Sequence, residues 1–169
     1  MKTKIYITGV AGFIGYHTAK KFLDKGIIVH GLDSINSYYD INLKKSRLKL
    51  LQKYKNFSFT KGLLEKYKSL NQSVSSFKPT IIIHLAAQAG VRYSIDNPDI
   101  YLDSNILGTF NILKIANKIK VKHLIIGSSS SVYGANKKIP FQEIDKTDHQ
   151  VSFYAATKKS TESLAHSYS

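Results

Sequence analysis

Lys4-Ile5-Tyr6-Ile7-Thr8-Gly9-Val10-Ala11-Gly12-Phe13-Ile14-Gly15 is the stretch from which the rest of this 169-residue chain is read. A short β-branched apolar run leads into a glycine-punctuated turn and then into an amphipathic pattern, which predicts strand, tight loop and helix. Each glycine has its own task. Gly9 lets the chain turn sharply off the strand, Gly12 removes a Cβ where a diphosphate would touch backbone, and Gly15 lets the helix pack closely. The first N–H groups of the helix and its positive dipole end then form an anion site. The spacing is G-x-x-G-x-x-G rather than G-x-G-x-x-G, and by itself it is a weak signal that an ordinary turn would also give. Its context, with Asp33 closing a second apolar run, favours a dinucleotide site.

Working outward, apolar runs alternate with helical patterns to the end of the chain. This predicts an α/β fold, a Rossmann-type doubly wound parallel sheet of about five strands in one domain over 1–169. Strands are expected at 5–8, 27–32, 57–61, 80–86 and 123–127, and helices at 12–25, to about 53, 64–77, 99–120 and from 152. The first helix is expected to turn Phe13, Ile14, Ala19, Phe22 and Leu23 inward. Asp33 stands about 20 residues beyond the glycine loop, where it can accept both hydroxyls of an adenosine ribose and repel a 2′-phosphate, which favours NAD over NADP. The alternative is that Asp33 caps the next helix. His84 ends the fourth strand, where a satisfied structural histidine is favoured over a ligand or base. The pattern at 99–120 is apolar most of the way round, as expected of a helix that covers the sheet and also meets a partner.

Composition narrows the class. The length suits one buried core, and the absence of cysteine excludes disulfides and thiolate metal sites. No run approaches the ~20 apolar residues of a membrane span, so the expectation is a cytoplasmic protein with no membrane partner. The formal charge of +14 comes almost wholly from scattered lysines, with only Arg47 and Arg92 as arginines. A solvated lysine-rich surface is favoured over nucleic-acid binding, because no basic helix with interleaved aromatics and no recognition motif is present.

Tyr154-Ala155-Ala156-Thr157-Lys158 sets a tyrosine and a lysine one helical turn apart. Alone it reads as an exposed helix pair. With Ser128-Ser129-Ser130-Ser131 ending the fifth strand and the glycine loop ending the first, the three converge on the carboxyl edge of one sheet. Hydride transfer at an alcohol carbon needs such a set. A tyrosine base working near pH 7 needs its phenolate favoured by about three units, roughly 4 kcal/mol. A nearby ammonium supplies part of that, and a serine hydroxyl steadies the forming carbonyl.

Together, Thr8-Gly9-x-x-Gly12-x-x-Gly15, Asp33, His84-Leu85-Ala86-Ala87, Ser128 to Gly134 and Tyr154-x-x-x-Lys158 resemble the extended short-chain dehydrogenase/reductase family of nucleotide-sugar enzymes. Leu85 to Ser94 and Ser152 to Lys159 look most like its UDP-glucuronate 4-epimerases. The resemblance implies 4-epimerisation of a UDP-sugar through a 4-keto intermediate, with NAD as the hydride carrier. It implies Ser129, Tyr154 and Lys158 as catalytic residues, Tyr154 as the base, and Lys158 also on the nicotinamide ribose. The implied cofactor contacts are Gly9, Gly12, Phe13, Ile14, Gly15, Asp33, Asn36, Leu64, Leu85, Ala86 and Ala87, together with Tyr154 and Lys158. The implied substrate contacts are Gln88, Arg92, Ser130 and Ser131. Dehydratases of the family carry an Asp-Glu pair where Ser130 and Ser131 stand, which argues for epimerisation without water loss. A homodimer through 99–120 and 152–168 is also implied.

Two departures from the family pattern stand out. Leu63 occupies the place of an aspartate that contacts adenine, at an expected cost of about 1.5–3 kcal/mol, one to two decades in cofactor affinity. Family chains also continue into a carboxyl-terminal part that closes over the UDP-sugar, and this chain ends at Ser169. Poor turnover is therefore expected. The competing reading is a catalytically inactive NAD-binding or dimerising remnant of such an enzyme.

Overall fold

Among residues 2–169, which the computed structural model describes, five parallel strands form one sheet in the order β3-β2-β1-β4-β5. The strands are β1 (Lys4–Thr8), β2 (Ile28–Asp33), β3 (Phe57–Lys61), β4 (Ile81–His84) and β5 (His123–Ile126). The helices are α1 (Phe13–Asp24), α2 (Ile41–Leu51), α3 (Tyr67–Phe77), α4 (Tyr93–Asp96), α5 (Pro98–Tyr101), α6 (Gly108–Lys118) and α7 (Phe153–Ser167). A π-helical turn, Leu102–Leu107, joins α5 to α6, and a 3-10 turn, Ser130–Tyr133, follows β5. The strand order reverses between β1 and β4, which leaves a crevice at their carboxyl ends.

Alternation along the central strands builds two cores. Ile5 and Ile7 of β1 face one side of the sheet, where they meet Val29, Ile83, Leu51, and Ala19 and Leu23 of α1. Tyr6 faces the other, with Leu32, Ile82, Leu70 and Val74 of α3, and Ile112 and Ile115 of α6. Both faces of β1 are thus covered, which is why its sequence is a continuous apolar run. Helices on both faces bear out the doubly wound prediction. The Tyr6 hydroxyl, buried with its ring, pairs with Ser73 Oγ at 2.9 Å.

Two expectations are corrected. Phe13 and Ile14 do not point inward: they are 67% and 64% exposed, at the start of α1. The inner positions of α1 are Gly15, Ala19 and Leu23, so the true phase begins on the glycine. The expected single helix over 99–120 is also broken. The Gly108 N–H reaches back five residues to the Asp103 carbonyl, which widens the turn. Its inward residues include Asn105, Thr109 and Asn111, each buried and hydrogen-bonded, while Leu102 and Leu107 lie exposed. The apolar pattern, which goes most of the way round, carries no sign of these polar side chains that turn inward.

Candidate functional site

The glycine loop is shaped by backbone contacts. Gly9 has φ +72, and its N–H donates to the Leu32 carbonyl at 2.7 Å. A Cβ there would lie 2.8 Å from the Ala86 nitrogen. A Cβ on Gly15 would lie 2.0 Å from the Gly9 carbonyl oxygen, so α1 rests directly on the loop that precedes it. No side chain caps α1 at Gly12, and its first turn holds no acidic residue. The N–H groups of that turn are left open beside the cavity that Gly12 lines, the arrangement an anion requires.

That cavity measures about 460 Å³ and runs from Gly9 and Gly12 past Asp33, Asn36 and Leu64 to Leu85, Ala86, Ala87 and Gln88. Nine of the residues singled out from sequence therefore share one cleft. Asp33 is buried, and its carboxylate accepts from the Ala11 N–H at 3.0 Å and the Ile35 N–H at 2.9 Å. Those two bonds fix its position and leave acceptor sites on both oxygens. The cap of α2 is Asp40, which accepts from the Asn42 N–H at 2.8 Å, so Asp33 does not play that part. Leu63 lines the same cleft and is exposed.

Sequence reasoning missed Lys44. Its side chain is buried in the cleft wall, where Nζ donates to the Asn36 carbonyl at 2.9 Å and to Asn36 Oδ1 at 2.5 Å. Burial pushes its pKa down, and the Asp33 charge opposes that shift. Within the Lys44-Lys45 pair the two lysines look alike by composition. The phase of α2 separates them, because Lys44 lies one turn from Leu48 and two from buried Leu51.

At the end of β4, Thr8 Oγ1 accepts from the Leu85 and Ala86 N–H groups, each at 3.1 Å. Its own proton is left for His84 Nδ1 at 2.7 Å, and His84 Nε2–H then donates to Thr109 Oγ1 at 3.1 Å. Burial, and secondly the Lys158 charge, push the His84 pKa down to about 3. His84 is a neutral structural strut, as expected from its place in the chain.

Ser129, Tyr154 and Lys158 lie beyond this cleft, as do Phe13, Ile14, Gly15, Arg92, Ser130 and Ser131. Ser152 caps α7 by accepting from the Ala155 N–H at 3.1 Å, which sets the phase that puts Tyr154 and Lys158 on one face. The Tyr154 N–H donates to Ser94 Oγ at 3.1 Å. Lys158 is buried, its Nζ donates to the Gly127 carbonyl at 2.5 Å, and burial pushes its pKa down while Glu162 pulls it up. Ser129 Oγ accepts from the Ser131 N–H at 3.2 Å, Ser130 is exposed, and Ser128 donates to Glu162 at 2.5 Å. Arg92 is exposed in the loop before α4.

One buried side chain joins this group to the cleft. Asn105 Oδ1 accepts from the Gln88 N–H at 2.8 Å, while its Nδ2 donates to the Gln88 carbonyl at 3.1 Å and to Thr157 Oγ1 at 3.0 Å. Thr157 sits between Tyr154 and Lys158 on α7. An asparagine inside an apolar helical run was the available signal for this link.

With this geometry in hand, residues 6–169 match the model of the family described as GDP-mannose 4,6 dehydratase. The chain belongs to that family. Within the family, it is 54% identical over 166 residues to "Protein CapI" of Staphylococcus aureus, covering 98% of this chain and 49% of that protein. It is 50% identical over 162 residues to "Probable UDP-glucuronate 4-epimerase" of Rhizobium meliloti, covering 96% and 48%. Among solved structures, the UDP-glucuronic acid 4-epimerase of Bacillus cereus in complex with UDP-glucuronic acid and NAD superposes with a TM-score of 0.90 at 32% identity, over 98% of this chain and 52% of that one. The chain thus spans about half the length of the relatives it matches.

Proposed function

We propose that this chain is the NAD-binding half of a UDP-sugar 4-epimerase of the UDP-glucuronate type. The observation that carries the reading is the cavity over the uncapped start of α1, with Asp33 at one end and the Gln88–Asn105–Thr157 link to α7 at the other. The site fits a dinucleotide: bare backbone at Gly9 and Gly12 for the diphosphate, a fixed carboxylate for the adenosine ribose, and an apolar wall from Leu64 and Leu85 to Ala87 for the rings. Bound NAD⁺ supplies the hydride acceptor that lets C4 of the sugar be oxidised and then reduced on its other face.

The chain's own residues move the proton. Tyr154, as the phenolate, takes the proton of the sugar 4-hydroxyl and, as the phenol, returns it. Ser129 holds the same oxygen through its hydroxyl, and the Lys158 ammonium favours the phenolate. Lys158 keeps two N–H donors beyond the one given to Gly127, enough for a ribose and for the tyrosine. Ser130 and Ser131 in place of an acidic pair support epimerisation over dehydration. Gln88, Arg92, Ser130 and Ser131 are the substrate contacts of this reading. Exposed Leu102, Leu107, Phe153 and Tyr168, with Phe110 edge-on to Tyr168 at 6.5 Å, offer an apolar face for a second copy of the chain.

The test is to incubate the purified chain with UDP-glucuronate and NAD and to follow UDP-galacturonate by chromatography. Slow conversion that disappears in Tyr154→Phe is expected. Appearance of a dehydrated sugar, or conversion undiminished in Tyr154→Phe, would contradict the assignment.

A further inference from the structure

Two loops flank the glycine loop at the carboxyl edge of the sheet, residues 34–40 after β2 and residues 85–92 after β4. They meet across it. The Tyr38 ring lies 5.0 Å from the Tyr93 ring, and the Tyr38 hydroxyl sits over Gly90, where an added Cβ would be 2.2 Å away. Gly90 has φ +105, a conformation that favours glycine, and a Cβ there would displace the Tyr38 hydroxyl. Tyr38 also lines the cavity that begins at Gly9 and Gly12 and reaches Ala89.

Each loop is braced from behind. On the β4 side, the Tyr101 hydroxyl meets the carbonyls of Ala89 at 2.8 Å and Gly90 at 2.6 Å. The Tyr101 ring packs 6.4 Å from Tyr93 and 6.0 Å from Tyr154. On the β2 side, Lys44 holds Asn36 and stands 4.1 Å from the Tyr39 ring centre, while Arg47 reaches the Tyr39 hydroxyl and the Ala11 carbonyl, each at 3.4 Å. Tyr38 is the half-exposed tip between two held segments, and it bridges the trough from one side to the other.

We propose that Tyr38 is a positioning residue for the cofactor, a strap that closes over a dinucleotide lying on the glycine loop and slows its exchange. This rests on the NAD reading above. The chemistry favours such a device. A cofactor that is reduced and re-oxidised within one turnover has no need to leave, so a closed trough does not slow the reaction. A strap differs from a simple ligand contact in its kinetics. Loosening a strap speeds both uptake and release, whereas removing a direct contact speeds release alone.

The experiment follows NADH by its own fluorescence in a stopped-flow instrument, for binding and for displacement by excess NAD. In Tyr38→Ala both rate constants are expected to rise, release by about tenfold, the scale of one aromatic pair. Tyr38→Phe keeps the ring and stays near wild type. Tyr93→Leu reproduces the effect, and the double variant adds little to either single change because both break one contact. Release as slow as wild type in Tyr38→Ala, faster release with unchanged uptake, or additive effects in the double variant would each overturn the strap. No NADH signal with the wild-type chain would overturn the cofactor reading and this inference with it.

Discussion

The cleft over β1 and β2 and the edge formed by β5 and α7 are built to different degrees of closure. In the cleft, Asp33, Lys44 and Gln88 are buried and paired, and two loops meet above the glycine turn. At the other edge Ile125 is exposed, and the stretch from β5 to α7 leaves Ile139, Ile144 and Val151 open to solvent. The residues proposed to hold a cofactor are fixed by contacts within the chain. Those proposed to do chemistry rest on a few struts, chiefly Lys158 to Gly127 and Asn105 to Thr157. On the reading proposed here, dinucleotide binding and sugar turnover are therefore expected to be lost separately.

The largest effect that would break the contrast is expected at Gly15. Gly15→Ala puts a methyl carbon 2.0 Å from the Gly9 oxygen, and backbone cannot yield as a side chain can. A loss of about 3 kcal/mol in stability is expected by thermal unfolding, with NAD affinity reduced at least about a hundredfold by calorimetry. Retained affinity would mean that the glycine loop is not the anion site.

Asn105→Leu cuts the link between the two regions. It strands the Gln88 N–H and carbonyl in a buried place and takes from Thr157 Oγ1 the donor it accepts from, while the Thr157 hydroxyl still donates to the Tyr154 carbonyl, for about 3 kcal/mol by denaturant unfolding. Cofactor affinity should fall much less than turnover, since the glycine loop is untouched. An equal loss in both would show one inseparable site.

Acid should act on the strut at the end of β4. The folded-state pKa of His84 is depressed to about 3, below an unfolded value of about 6.5, so between those pH values the unfolded chain binds more protons. The stability due to neutral His84 is fully present above about 6.5 and is lost as pH falls towards 3, at up to about 1.4 kcal/mol per unit. His30, pushed down to about 4 by burial, acts in the same direction. Unfolding curves across that range should show the decline, and it should be shallower in His84→Asn.

Much of this was legible beforehand, for identifiable reasons. Strand positions and the two-sided cover of β1 follow from a local apolar pattern. The glycine loop follows from turn chemistry, which the backbone of Gly9 and Gly15 bears out. What was not legible is tertiary. The exposure of Phe13 and Ile14 depends on where α1 starts relative to the sheet. The widened turn at 102–107 depends on Asn105 finding partners 17 and 52 residues away. The inward turn of Lys44 depends on Asn36. Long-range polar pairing leaves no period in the sequence, so an apolar count passes over it.

A smaller change sharpens the comparison. Leu63→Asp places a carboxylate on the cleft wall that Leu63 now lines, and NAD affinity is expected to rise about tenfold, worth roughly 1.4 kcal/mol, with no change at the β5 edge.

The most direct test of the central claim is a calorimetric titration of the wild-type chain with NAD and, separately, with NADP. One NAD per chain is expected, with NADP weaker by at least about tenfold because the Asp33 carboxylate would repel the added phosphate. No heat with NAD, or equal affinity for the two, would contradict it.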